Sequence, residues 1–84
     1  MRKSKNSQIE DYICKTYRNE FYRKILRERF INDQSYVGIL LKYDPVYHIS
    51  SDGVRRHKEK RLRLFCQKFY EKMAAEMEAT VNAN

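Results

Sequence analysis

Glycine and proline are scarce in this chain, with 2 Gly and 1 Pro in 84 residues. A sandwich or barrel needs turn residues roughly every 8 to 12 positions, so the shortage excludes an all-β fold and favours a few long helices. Cysteine is scarce too. Cys14 and Cys66 stand far apart, in neither a disulfide framework nor a zinc spacing, and His48 and His57 do not complete one. No metal ligand and no cofactor are expected, and the thiols are read as reduced, as in a cytoplasmic protein. Tryptophan is absent, and no apolar run approaches the roughly 18 residues of a membrane span. The basic start, Arg2, Lys3 and Lys5, leads into no apolar stretch and is not read as a signal peptide. No membrane partner is expected. The chain also lacks a nucleophile with a base at motif spacing, a glycine-rich phosphate loop and an acidic metal cluster, so it is not expected to be an enzyme.

What is present is 42% hydrophobic residues and a net charge of +7. The length suits one domain with one core. The positive charge falls into blocks: the N-terminal arm; Lys15, Arg18, Arg23, Lys24, Arg27 and Arg29 against Glu20 and Glu28; and Arg55, Arg56, Lys58, Lys60, Arg61 and Arg63 against Glu59. Concentrated charge of this kind attracts polyanions.

Residues 1–6 read as a disordered basic arm, residues 7–80 as a single helical domain and residues 81–84 as a disordered tail. Ser7 with Glu10 makes a capping box. From there to Ile31 no Gly or Pro intervenes. Ile9, Ile13, Tyr17, Phe21 and Ile25 recur at a spacing of four, as do Tyr22, Leu26 and Phe30 on another face. A spacing of four drifts by about 40° per step. The segment is therefore either one long helix with two neighbours or two helices meeting near Asn19. Asn32 and Asp33 end it. Ser35 caps a short helix over 36–43, and Asp44-Pro45 stops that helix. After a connector over 45–49, Ser50 or Ser51 caps a last helix reaching about Ala79, with Asp52 in its first turn. The fold class is all-α, with three to four helices, a helix-turn-helix and a long C-terminal helix.

The last helix has two characters. Its first half sets Val54, His57, Arg61, Leu64 and Phe65 on one side, with His57 a partly buried packing residue. Asp52, Arg55, Arg56, Glu59, Lys60 and Arg63 lie on the other side. Its second half carries the stripe Leu62, Phe65, Phe69, Met73 and Met77. Residues Ile25 to Phe65 thus read as helix, link, short helix, turn and basic helix. That is the helix-turn-helix order, in which the first turns of the second helix reach base edges in the major groove. Arg55 and Arg56 are expected at bases, and Lys58, Lys60 and Arg63 at phosphates. Tyr12, Tyr17 and Tyr22, spaced with Ile and Phe, read as core rather than as stacking platforms. Phe69, Met73 and Met77 are read as the seam of a homodimer, which would double the base contacts.

The runs Arg27 to Tyr43 and His48 to Phe65, with Ile49, Ser50, Val54, Arg55, Arg56, His57, Lys58, Leu62 and Phe65 in order, resemble region four of bacterial sigma factors. They resemble more closely the helix-turn-helix of small phage transcription regulators of the ArpU and RinA type. The resemblance covers about half the chain. It implies binding to promoter DNA in a bacterial cell or phage-infected host, with Ser51, Asp52, Arg55 and Arg56 facing bases and Ser50 capping the recognition helix. His57, Arg61 and the long link holding Pro45 depart from the family pattern. The expected partner is double-stranded DNA. The alternatives are a protein-interaction module gripping RNA polymerase or a DNA-packaging recognition subunit.

Overall fold

Two helices, not one, fill the segment that has neither glycine nor proline. The computed structural model describes residues 4–82. It consists of α1 (Lys5–Thr16), α2 (Glu20–Phe30), α3 (Tyr36–Tyr43), a 3-10 turn (Tyr47–Ile49) and α4 (Asp52–Asn82), with no strand among the described residues. Residues 1–3 of the expected arm and 83–84 of the expected tail lie outside them, while 81–82 of that tail belong to α4.

α1 starts earlier than its capping-box reading. The Ser4 hydroxyl accepts from the Ser7 amide at 3.1 Å, so Ser4 is the cap, Ser7 lies inside the helix, and Lys5 and Asn6 are helical rather than part of an arm. Glu10 does not fold back on the cap. It accepts from Arg27 Nε on α2 through both carboxylate oxygens, each at 2.9 Å, and from the Cys14 thiol at 3.5 Å.

The break between α1 and α2 comes from side chains. Tyr17 adopts an extended conformation, and the Asn19 carboxamide oxygen accepts from the amides of Phe21 and Tyr22. Arg23 reaches back from α2 and donates to the carbonyls of Cys14 and Tyr17 at the end of α1. The orphan amides of one helix and the orphan carbonyls of the other are thereby satisfied together.

The core is made by Ile9, Tyr12 and Ile13 of α1, Ile25 and Leu26 of α2, Ile39 of α3, and Leu62, Cys66, Phe69 and Met73 of α4. Tyr12 and Phe30 both pack their rings on Phe69, at centroid distances of 5.5 and 5.3 Å. Burial pushes the Cys66 thiol up to about 11, which leaves it an inert packing group.

This arrangement corrects the dimer seam. Phe69 and Met73 are 2% and 4% exposed within a single chain, and Met77 packs beside the same core, so these side chains are already occupied by α1 and α2. α4 also continues to Asn82, past its expected end. Its 31 residues span about 46 Å at 1.5 Å per residue. That accounts for the 50 Å long axis, and for a radius of gyration of 14.7 Å against about 12 Å for a compact chain of this length.

α3 follows its sequence signals. Ser35 accepts from the Gly38 amide at 3.0 Å, and Asp44 before Pro45 turns extended. Asp33 takes φ 57° in the preceding link, a left-handed conformation in which Asp is among the better-tolerated non-glycine residues.

Two carboxylates lock α3 into place. Glu28, buried near the end of α2, accepts from Lys42 Nζ at 2.7 Å, Asn32 Nδ2 at 2.6 Å and Tyr43 Oη at 3.4 Å. Asp44 accepts from Lys58 Nζ on α4 at 2.7 Å. The Lys42 hydrogen bond holds the Glu28 carboxyl below its usual range, and Lys58 does the same for Asp44. Groups whose folded pKa is depressed stabilise the fold above the unfolded value and lose that effect as pH falls through the folded one. The melting temperature should therefore hold near neutrality and fall once the pH drops below about 4, the ordinary carboxylate range. Glu28→Gln should melt lower at pH 7 and show a flatter acid limb; an unchanged acid profile in thermal melts would exclude Glu28 as a lock.

Candidate nucleic-acid interface

The two large basic blocks of the sequence have different fates. In the first, Lys15 pairs with Glu76, Arg27 with Glu10 and Glu20, and Arg23 with Glu20. Arg29 lies over the Tyr36 ring at 4.3 Å and donates to the Gln34 carbonyl. Among the described residues, Arg18 and Lys24 of this block stay exposed without an ion pair. Most of that block is structural charge that joins α1 to α2 or fastens the links.

The second block, on α4, stays largely free. Arg56, Lys60, Arg61 and Arg63 are all exposed, and among the described residues none has an ion-pair partner. At about 100° per residue, Gly53, Arg56, His57, Lys60 and Leu64 share the face opposite Leu62, with Arg61 and Arg63 on its flanks. Leu62 is buried, so this face points away from the core. Of the nearby carboxylates, Asp52 sits at the edge and Glu59 is occupied by the Tyr47 hydroxyl at 3.0 Å.

Two of the expected DNA contacts are held inward instead. Arg55 donates through Nε to the Tyr47 carbonyl at 3.1 Å and through Nη2 to the His48 carbonyl, with its guanidinium 5.6 Å from the Tyr47 ring centre. It clamps the 3-10 turn onto α4 and does not project with Arg56. Lys58, expected at a phosphate, is half-buried and paired with Asp44. Ser51 and Asp52 are exposed at the start of α4.

The cap is Ser51. Its hydroxyl accepts from the Val54 amide at 3.4 Å and its carbonyl from the Arg55 amide at 2.9 Å. Ser50, expected there, donates its hydroxyl to the Val46 carbonyl at 2.6 Å and closes the 3-10 turn.

The inward face of α4 also differs from expectation. Val54, His57 and Leu64 are exposed. The packed face runs instead through Arg55, Lys58, Leu62, Phe65, Cys66, Phe69 and Met73. A straight helix keeps one face to its neighbours. The longer C-terminal stripe fixes that face, and the aliphatic stems of Arg55 and Lys58 extend it to the N-terminal turns.

Sequence reasoning missed Tyr47. It is buried in what reads as a connector, and it organises the turn through its ring, carbonyl and hydroxyl. A lone aromatic two residues after a proline was the available signal.

Arg55→Ala should weaken the turn that orients α4. The expected result is a loss of about 1–2 kcal/mol in stability, from hydrogen bonds to a charged donor, with selected and random duplexes losing affinity by the same factor. A loss confined to the selected sequence in binding titrations would return Arg55 to a base contact.

No family model, curated protein or solved structure matches the chain.

Proposed function

We propose that the protein binds double-stranded DNA by laying the N-terminal turns of α4 in the major groove. The observation that carries the reading is the cationic face of Arg56, Lys60, Arg61 and Arg63, without ion-pair partners among the described residues, on a helix whose reverse face is anchored in the core. A helix fits the groove, and long polar side chains on its outward face are what reach base edges and phosphates. Arg56 is the arginine offered to a base; Lys60, Arg61 and Arg63 suit phosphates. Ser51 and Asp52, at the start of α4, are the remaining candidates for base contacts. The resemblance to small phage transcription regulators extends the reading to promoter DNA and to a cytoplasmic setting. A homodimer would need a surface other than Phe69 and Met73.

The test is an anisotropy titration of a labelled duplex at two salt concentrations. With the phosphate contacts of Lys60, Arg61 and Arg63 in each chain, log K should fall with log salt at a slope of about −3. Binding that is weak, blind to sequence and gone at physiological salt would refute the proposal.

A second reading, a protein-interaction module, draws on one observation. A groove of about 270 Å³ between α2, α3 and α4 is walled by the exposed Phe21 and Pro45 and the partly buried Leu40 and Tyr43. The refuting outcome of the titration favours it.

A further inference from the structure

The chain has two glycines, and the fold accounts for one of them. The Gly38 amide donates to the capping Ser35 hydroxyl, and a Cβ built on Gly38 would lie 3.1 Å from that oxygen. Gly53 has no such reason. It lies in the first turn of α4 with no positive φ, and a Cβ added there would meet nothing within 4 Å. Any L-residue fits, and glycine is the poorer choice in a helix because it loses more backbone freedom on folding. Packing, backbone geometry and local hydrogen bonding therefore leave the missing side chain unexplained.

Its position supplies a reason outside the chain. Gly53 lies on the side of the helix opposite the buried Leu62, at the centre of the outward face and flanked by Arg56, His57 and Lys60. A helix with its side chains is about 10–12 Å across and the major groove about 12 Å wide. How deep the helix sits depends on the side chains at the middle of its leading face. Long cationic arms can splay sideways to the groove walls, but a residue at the centre cannot.

We infer that the duplex comes into van der Waals contact with the α4 backbone at Gly53, an approach that only a residue without a side chain permits. The inference rests on the DNA-binding reading above. Gly53 is then a positioning residue that sets how deep the recognition helix sits.

The experiment compares wild type, Gly53→Ala and Gly53→Leu by thermal melting and by titration against a short duplex that the wild-type protein has selected from a randomised pool. Gly53→Ala should melt higher, by about 2–6 °C, while its Kd weakens at least tenfold; Gly53→Leu should bind more weakly still. Because the fold is stabilised while binding is lost, unfolding cannot produce this pattern. Gly53→Ala binding as tightly as wild type, or melting lower than wild type, overturns the inference and leaves DNA binding intact. A wild-type protein that selects no duplex overturns both.

Discussion

Replacing Arg56, Lys60 and Arg61 together by alanine is expected to weaken duplex binding about a hundredfold or more at moderate salt, at roughly 1 kcal/mol per lost contact. The salt slope should become shallower by about 2, because Lys60 and Arg61 are the phosphate contacts among the three. All three side chains are exposed and none is paired among the described residues, so their removal costs the fold little. Melting temperatures within a few degrees of wild type should accompany the loss. The matched control is Arg18→Ala with Lys24→Ala. These residues are also exposed and have no ion pair among the described residues, but lie on the link between α1 and α2 and on α2. A loss of affinity and slope in that control in proportion to its two removed charges against three would mean that binding follows net charge rather than a particular helix.

Phe69→Ala should cost about 3–5 kcal/mol, the usual range for deleting a buried phenylalanine. A domain of this size has on the order of 4–13 kcal/mol in all. Phe69 is 2% exposed and contacts the rings of Tyr12, Tyr17 and Phe30. Its removal opens a cavity where α1, α2 and α4 meet, and the neighbouring rings cannot collapse into it without moving those helices. The loss should not depend on protein concentration, because the contacts lie within one chain. Chemical denaturation at two concentrations separates the accounts. A Phe69→Ala protein that keeps its monomer stability while a wild-type dimer dissociates would place Phe69 in an intermolecular seam instead.

How legible the fold was depends on which signals were local. α3 could be read at both ends, since Ser35 and Asp44-Pro45 act on their own neighbours. The division of α1 from α2 was only half legible: Asn19 is a sound cap, but the cap on the α1 carbonyls is Arg23, four residues into the next helix. The outward cations of α4 were legible as residue types. Which of them are free was not, because that depends on carbonyls and carboxylates brought together by the turn. Arg55 and Arg56 are adjacent in sequence and look alike there, yet one is anchored to the Tyr47 carbonyl and the other is exposed. Val54 and Leu64 misled for a related reason. They suggest an apolar face of their own on α4, but the stripe from Leu62 to Met73 fixes the packed face and leaves both at 45% exposure. Burial of His57 was expected from the same phase and failed with it.

The most direct measurement of the central claim is the backbone amide spectrum of the labelled protein, titrated with a short duplex at low salt. Shifts concentrated over residues 51–64, with α1 and the C-terminal half of α4 nearly still, are the predicted result. Shifts centred on α1 and α2, or spread evenly over every exposed lysine and arginine, would contradict a recognition helix at α4.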